Sequence, residues 1–300
     1  MNGFNIGIIG ERINPGFKST RALFDNEDLA GIQALAVKQA EAGAKYLNVN
    51  IGARALTDPQ WMARVIEAIQ EVVHLPLSFD FPSKSVQDIC LSTYDIAKAN
   101  GELPIVNSIT EHRWDLMELY GKHKFKVILM ASERVEEVDG DNGPMRVAKG
   151  NKTADEIYAT ARRAALRLKN EYGMPLEHIF IDMSVSAIIA DTEGLNRSTV
   201  EAIRRIGADP ELKGVHMMGG LSNIGQQLPP KAVDGSDLKH SLENAFLTLT
   251  VEHGFDFVLG TPWRGYERLG DDHYVLNTYK NFLEQTGSNA LRAVRKFYKA

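Results

Sequence analysis

Cysteine is almost absent from this sequence of 300 residues, and its scarcity excludes several kinds of site. The single Cys90 rules out an intramolecular disulfide framework and a metal site built only from thiolates. Long apolar runs are also missing, since the longest are strand-sized and too short to span a bilayer. The N-terminus lacks the charged segment and apolar stretch of a signal peptide. We therefore expect a protein without a membrane segment, working in the cytoplasm.

An excess of one charge is lacking as well. The 34 Lys and Arg residues are mixed along the chain with 39 Asp and Glu residues, for a net charge of −5. No basic block is present, which argues against nucleic acid as the main partner. The eight histidines are scattered, and no HExxH motif or glycine-rich phosphate loop follows a strand. We expect no metal centre, although oxygen ligands alone could still hold Mg²⁺.

Short apolar runs alternate with longer segments of helical period along the whole chain. The runs are near-continuous in apolar residues, which is typical of parallel strands covered on both faces. They span residues 4–9, 46–51, 76–79, 104–106, 126–130, 178–181, 214–218 and 255–259. Eight strand-then-helix units predict a single-domain (β/α)8 TIM barrel over residues 1–300. A doubly wound open sheet is the alternative, but it would not need eight units.

Local signals mark where helices begin. Asp58 before Pro59 predicts an N-cap, Thr153 with Glu156 predicts a capping box, and Asp237 opens a further helix. Residues 133–152 instead carry many charges with no clear period. We predict a long loop there, on the mouth side of the barrel after the fifth strand, serving as a lid, facing a partner or disordered.

Polar residues lie within or just after the predicted strands, and the C-terminal strand ends carry the chemistry of a TIM barrel. The members of this set are Glu11, Asn48, Asn50, Asp80, Asn107, Asp182 and the stretch 219–223. Each alone could cap a helix or make a turn. In a barrel they converge on one cavity and predict a hydrogen-bonding floor for a polar ring. Asp80 and Asp182 could each accept two parallel N–H donors, and Asn107 could both donate and accept.

These stretches resemble a known family. Gly-Glu-Arg-Ile-Asn at 10–14 and Gly-Leu-Ser-Asn at 220–223 are the most specific, and 46–52, 79–80, 106–108 and 180–182 continue the match in the same order. The pattern resembles the pterin-binding barrel superfamily. Within it, the pattern is most similar to the methyltetrahydrofolate:corrinoid protein Co-methyltransferases of the acetyl-CoA pathway and of demethylase systems (methyltransferase II).

The resemblance implies a methyltransferase of anaerobic one-carbon metabolism. It would move a methyl group between N5 of tetrahydrofolate and the cobalt of a corrinoid (cobalamin) carried on a separate protein. The residues that would bind methyltetrahydrofolate are Asp80, Asn107, Asp182, Gly220, Ser222 and Asn223. Asn223 would be the catalytic residue, because its amide can stabilise the N5 proton preferentially in the transition state.

The resemblance also implies supporting residues and partners. Glu11, Asn48 and Asn50 would support the site, and Lys231 would do so only if it replaces an arginine of the relatives. The chain lacks the Asp-x-His-x-x-Gly motif of cobalamin-binding proteins, so a corrinoid protein would be the partner. From the same resemblance we also expect that the chain binds no metal and that it forms a homodimer.

Three alternatives remain open. A dihydropteroate synthase would share the barrel and the pterin floor, but its Asn-x-Thr-Pro-Asp-Ser-Phe loop is absent. A Mg²⁺-dependent aldolase or lyase would use Glu11, Asp80 and Asp182 as ligands. A non-catalytic folate-binding subunit would bind methyltetrahydrofolate and leave its methyl group in place.

Overall fold

The computed structural model describes residues 3–140 and 143–299, and its strands fall into two groups. The strands are β1 (Gly7–Ile13), β2 (Tyr46–Val49), β3 (Leu77–Asp80), β4 (Ile105–Ile109), β5 (Lys126–Met130), β6 (Glu133–Gly140), β7 (Gly143–Gly150), β8 (Ile179–Asp182), β9 (His216–Gly220) and β10 (Phe255–Gly260). Eight of them close a barrel in the order β1-β10-β9-β8-β5-β4-β3-β2, and every neighbouring pair is parallel. The predicted TIM barrel is confirmed, and each predicted apolar run overlaps one barrel strand.

Helices fill the connections between the barrel strands. They are α1 (Arg21–Asp25), α2 (Leu29–Glu41), α3 (Arg54–Thr57), α4 (Pro59–Val72), α5 (Lys84–Thr93), α6 (Ala154–Tyr172), α7 (Leu195–Ala208), α8 (Leu238–Thr250), α9 (Tyr274–Leu283) and α10 (Gly287–Lys296). After β4 the connection is a 3-10 helix, Trp114–Gly121. Within the described residues, no helix is long and apolar enough to cross a membrane.

The three predicted helix starts are confirmed. The Asp58 carboxylate accepts from the Trp61 N–H at the start of α4, and the Asp237 carboxylate accepts from the His240 N–H at the start of α8. Thr153 closes the predicted capping box at the start of α6. Each cap satisfies a backbone donor that the first helical turn leaves free.

The barrel interior changes character along its axis. Alternate residues of each strand point inward, and those near the N-terminal ends form an apolar plug of Ile9, Tyr46, Ile105, Ile128, Phe180 and Met218. Tyr46 packs edge-on against Phe180 with ring centroids 5.7 Å apart. Toward the C-terminal ends, Glu11, Asn48, Asn107 and Asp182 each follow a plug residue by two positions, so the plug supports a chamber with polar groups at the mouth.

The first strand differs from its prediction. It runs from Gly7 to Ile13, because pairing with β2 resumes at Ile13 after an irregularity that follows Gly10. Glu11 therefore lies inside β1 rather than in the loop after it. Its charge interrupts the apolar run in the sequence, which explains why the prediction ended too early.

The segment predicted as a long loop also differs. Strands β6 and β7 form an antiparallel hairpin whose register runs from Glu133↔Gly150 to Gly140↔Gly143, and residues 141–142 lie outside the described residues. Arg134 anchors its base by donating to Asn151 (2.7 Å) and pairing with Glu156 (3.0 Å). The hairpin is mostly exposed, so it lacks the apolar alternation that reveals a half-buried strand.

Candidate active site

A network of amides and carboxylates, called the floor below, covers the plug at the mouth. It consists of Asn48, Asn50, Ser78, Asp80, Asn107 and Asp182. Asp80 ends β3 directly opposite Asn107 of β4 in the strand register. The Asn48 amide oxygen accepts from the Ser78 hydroxyl (3.1 Å) and from the Asn107 amide (3.2 Å). Asn48 thereby fixes the orientation of Asn107.

Two amides hold one oxygen of Asp80. Asn48 and Asn50 donate to Asp80 Oδ2 at 3.3 and 3.2 Å, and the Asn50 oxygen accepts from the Gly52 N–H at 2.7 Å. Asp80 Oδ1 accepts no hydrogen bond from residues 3–140 or 143–299. A ligand donor can therefore reach Oδ1 while the carboxylate stays oriented.

Asp182 ends β8 and supplies the second carboxylate of the floor. Its Oδ1 accepts from the Ser184 N–H at 2.7 Å. Burial raises the pKa of Asp182 to about 6, and the nearby charge of Asp80 adds to the increase. Two like charges at the bottom of one chamber are unfavourable, and a ligand that brings N–H donors relieves them.

Ser184 was missed in the sequence. Its backbone has φ +50°, in the left-handed region, and its hydroxyl is buried without a partner in the described part of the chain. An unsatisfied buried hydroxyl costs about 1–3 kcal/mol. The spacing Asp182-x-Ser184 is the only signal the sequence offered, and it is a weak one.

Glu11 and Ser222 meet on the opposite side of the mouth. Glu11 Oε1 accepts from the Thr261 hydroxyl at 3.0 Å, and Oε2 accepts from the Ser222 hydroxyl at 3.4 Å. Burial raises the pKa of Glu11, and these two hydrogen bonds oppose the increase. Thr261 comes two residues after the predicted run 255–259 and directly after β10, so its position at the strand end was visible in the sequence although its role was not.

Asn223 lies at the rim. It ends the 3-10 turn Leu221–Asn223 after β9, is exposed, and its Oδ1 accepts from Gln226 Nε2 at 2.6 Å. A Cβ on Gly220 would lie 3.2 Å from Asn223 Nδ2, so a small residue at 220 allows the turn to fold back on the strand end. No hydrogen bond links Asn223 to the floor across the residues described.

Lys231 lies apart from these groups. It is exposed, and its backbone pairs with Asp237 in an isolated bridge. In the described chain it has no hydrogen bond or ion pair with a predicted site residue.

Arg113 is a mouth residue that the sequence analysis did not select. Its Nη2 donates to Ser108 Oγ at 3.1 Å and approaches Met130 Sδ at 3.6 Å. No carboxylate among the described residues forms an ion pair with it. Its guanidinium therefore lies at the mouth, beside the floor strands, with its charge uncompensated by a direct partner.

Two further features bear on ligand type. A cavity of about 360 Å³ opens beside Asp80 and Asn50, with Leu56, Phe81 and Val86 among its apolar lining. Among the described residues, no group of three or more His, Cys, Asp or Glu side chains has a geometry that could hold a metal ion. The chamber thus combines hydrogen-bonding groups with an adjoining apolar cleft, as a substituted polar ring requires.

The chain matches proteins of known family and fold. The model of the pterin binding enzyme family matches residues 11–259. The Methylcorrinoid:tetrahydrofolate methyltransferase of Eubacterium limosum is 25% identical over 262 residues, covering 85% of this chain and 84% of that protein.

Solved structures of dihydropteroate synthases share the fold. The enzyme of Stenotrophomonas maltophilia superposes with a TM-score of 0.58 at 15% identity, covering 86% of this chain and 88% of that one. The enzyme of Thermus thermophilus gives 0.55 at 16% identity, covering 92% and 93%. At such low sequence identities, the structural likeness shows a shared barrel fold only. The model of the pterin binding enzyme family matches residues 11–259, which is most of the chain, and the chain therefore belongs to this family.

Proposed function

We propose that this chain transfers a methyl group between N5 of tetrahydrofolate and a corrinoid carried on a separate protein. The observation that carries the proposal is the floor: two carboxylates and an oriented amide converge on one chamber, and each has an acceptor oxygen without a partner among residues 3–140 and 143–299. The similarity to the methyltransferase of Eubacterium limosum supports the reaction type.

The floor suits the pyrimidine edge of a pterin. That edge presents a ring N–H beside an exocyclic amine, and carboxylate oxygens accept such paired donors. Asp80 and Asp182 would take these donors. Asn107 is held by Asn48, and its side-chain oxygen accepts no hydrogen bond from the part of the chain that the structure describes. The unpaired Ser184 hydroxyl, buried beside Asp182, would gain a partner on the same ligand.

Asn223 is the residue we propose for the chemistry at N5. The bound corrinoid supplies the cobalt that exchanges the methyl group. When N5 gives up its methyl group it takes up one proton, and when N5 receives a methyl group it loses one. The Asn223 amide, at the rim, would hydrogen-bond N5 as its charge changes, which stabilises the transition state more than the ground state. Gly220 and Ser222 would shape the same turn.

The relative depth of the floor and Asn223 supports a partner protein that approaches the barrel mouth from solvent. The floor is deep in the mouth and Asn223 is exposed at the rim. A pterin seated on the floor would present N5 outward, where a corrinoid on a second protein can reach it.

Binding of methyltetrahydrofolate is the direct test of the floor. Isothermal titration with (6S)-5-methyltetrahydrofolate in EDTA should give saturable one-site binding for the wild-type protein. Asp80→Asn should weaken binding by about 10-fold or more, since one charge-assisted pair is worth about 1.5–3 kcal/mol.

Asp88→Asn is the matched control, because Asp88 lies on α5 and its carboxylate pairs with Lys122 away from the mouth. It should bind like the wild type. A second titration without EDTA separates the alternatives. Wild-type protein that binds no folate under either condition would remove the proposal, and binding that is lost only in EDTA would favour the metal-dependent alternative.

A further inference from the structure

The end of β1 and the loop after it carry positive charge and no acid. Residues 12–21, called the basic loop below, contain Arg12, Lys18 and Arg21 but no Asp or Glu. Lys18 and Arg21 are exposed, and Arg12 is half-buried. In the part of the chain that the structure describes, none of the three forms an ion pair. Cations without a partner at the edge of a binding chamber attract an anionic ligand.

Arg12 is held in place but keeps most of its donors. Its Cζ lies 3.9 Å from the centroid of the Phe17 ring, and its Nη2 donates to the Ser19 hydroxyl. Among the described residues this is the one hydrogen bond of a guanidinium that has five N–H donors. Glu11, its neighbour in the chain, favours the charge of Arg12, but the Glu11 oxygens accept from two hydroxyl groups instead. A ligand carboxylate can therefore still pair with Arg12.

The basic loop is ordered by its own hydrogen bonds. The Thr20 hydroxyl donates to the Asn14 carbonyl at 2.7 Å, and the Gly16 N–H donates to Asn14 Oδ1 at 2.8 Å. Arg21 Nε donates to the Pro15 carbonyl at 3.4 Å. Cations on an ordered loop lose less conformational freedom on binding than cations on a mobile one.

The loops on either side of the basic loop carry arginines that already have partners. After β10, Arg264 Nη1 lies 3.3 Å from the buried carboxylate of Glu243. After β2, Arg54 Nη2 lies 2.7 Å from Asp58 Oδ2. The cations of the basic loop differ from these two, since across the residues described they have no such partner.

The proposed orientation of the pterin directs its side chain toward the basic loop. The pyrimidine edge would face β3, β4 and β8, and N5 would face the turn after β9. C6 carries the p-aminobenzoylglutamate and is bonded to N5, at the end of the ring system opposite the pyrimidine edge. In the closed barrel the strands on that side are β10, β1 and β2. The side chain would therefore leave the chamber over the loops that follow these three strands.

An apolar cleft connects the floor with the basic loop. The cavity of about 360 Å³ reaches from Asp80 to Gly52, with Leu56 among its lining residues. A Cβ on Gly52 would lie 3.3 Å from Pro15 Cγ, so the wall of the cleft touches the basic loop. An aromatic ring such as p-aminobenzoyl can occupy an apolar cleft, and the glutamate attached to it would then lie beside the cations.

We propose that Arg12, Lys18 and Arg21 bind the glutamate tail of the folate, and that a tail of several γ-linked glutamates binds more tightly than a single glutamate. One glutamate carries two carboxylates, fewer than the three cations of the basic loop. Each further γ-linked glutamate adds one carboxylate. The inference rests on the proposed function, from which it takes the orientation of the pterin.

The test compares (6S)-5-methyltetrahydrofolate with one glutamate and with three glutamates by isothermal titration. At low ionic strength the wild type should bind the triglutamate about 3- to 10-fold more tightly, since one exposed ion pair changes a binding constant by up to about fivefold. In the double variant Lys18→Gln/Arg21→Gln this preference should fall to about twofold or less. Salt at about 0.5 M should reduce the preference of the wild type, because salt screens exposed charges.

Lys169→Gln/Arg292→Gln is the matched control, because these two exposed side chains lie on α6 and α10 rather than on a mouth loop. It should keep the preference of the wild type. 6-Methyltetrahydropterin, which has no glutamate tail, tests the floor by itself. The wild type and Lys18→Gln/Arg21→Gln should bind it with equal affinity, which also shows that the double variant is folded.

The outcomes separate this inference from the proposed function. A wild type that binds both folates with the same affinity would overturn the tail site and leave the proposed function in place. A preference for the triglutamate that persists in Lys18→Gln/Arg21→Gln would overturn the assignment to the basic loop. A wild type that binds neither folate would remove the proposed function, and this inference with it. A wild type that prefers the triglutamate but transfers no methyl group would remove the proposed reaction and support the tail site.

Discussion

Asp182 links the stability of the barrel to the binding of its ligand. Its buried carboxyl group has a pKa of about 6, against an ordinary value of 3.8. Because the folded-state value is raised, the stabilising contribution of Asp182 is complete below about pH 4 and is lost as the pH rises through about 6. At neutral pH the ionised group is a source of instability that the ligand donors would offset.

Asp182→Asn should therefore stabilise the protein and weaken its function. At pH 8 its free energy of unfolding should exceed that of the wild type, by at most about 3 kcal/mol for a shift of about two units. The Asn oxygen can still accept from the Ser184 N–H. Thermal unfolding at pH 4 and pH 8 measures the effect, and an equal gain at both pH values would contradict the charge-based account.

Folate binding should depend on pH through the same group. The ligand donors need ionised Asp182, so affinity should fall by up to about tenfold per unit as the pH drops below about 6. Titrations of the wild type between pH 5 and pH 8 measure this. Asp182→Asn should bind weakly with a flatter profile, and parallel profiles for the two proteins would assign the pH dependence to another group.

Asn223 should matter for the rate more than for affinity. Asn223→Ala should lower the transfer rate by about 10²–10³-fold, the range for one donor at a developing charge, with folate affinity changed only a few-fold. Rapid-mixing kinetics and titration on the same preparation separate the two effects. Asn281→Ala, on α9, is the control, and equal losses of rate and affinity in Asn223→Ala would make Asn223 a binding residue only.

The sequence revealed some site residues better than others. Asp80, Asn107 and Asp182 stand out because a polar residue directly after an apolar run interrupts a local pattern. Ser184 gives no such signal, since a serine two residues after an aspartate is ordinary. Its hydroxyl is buried only because the chain turns through the left-handed region after β8.

Among the elements, the hairpin of β6 and β7 is the one most separable from the barrel. Arg134 and the Val135 N–H, which donates to Glu111 at 3.0 Å, attach its base, and the rest is mostly exposed. The hairpin follows β5 on the mouth side, where the corrinoid protein would approach. We propose that it contacts this partner.

Replacing residues 136–147 by a short Gly-Ser linker should separate docking of the corrinoid protein from folding and folate binding. Folding and folate affinity should stay close to those of the wild type, because Arg134 and the floor are untouched. Transfer to a protein-bound corrinoid should fall about 10-fold or more, while transfer to free cobalamin should not change. Equal rates with both acceptors would assign the hairpin no part in docking.

Element prediction succeeded where the signal was local. Capping residues placed the starts of α4, α6 and α8, since a cap acts within one helical turn. The hairpin was missed because its pairing depends on a second strand and both faces meet solvent. The end of β1 was missed because Glu11 is stabilised by Thr261 and Ser222, which lie more than two hundred residues away in the chain.

At the scale of the whole molecule, repetition made the fold predictable. Eight apolar runs in alternation with helices leave few architectures, and closure of β1 onto β10 confirms the barrel. The homodimer remains a proposal from resemblance. Light scattering of the purified protein should give twice the mass of 33.3 kDa, and a monomer would contradict it.

The central claim is that the chain transfers a methyl group and does not merely bind a folate. The most direct measurement mixes the purified protein, (6S)-5-methyltetrahydrofolate and reduced cobalamin under anaerobic conditions, and follows the cobalamin absorbance. The account predicts conversion to methylcobalamin that requires the protein and is largely lost in Asn223→Ala. Saturable folate binding without any protein-dependent conversion, with free or protein-bound corrinoid, would contradict it and leave a folate-binding subunit.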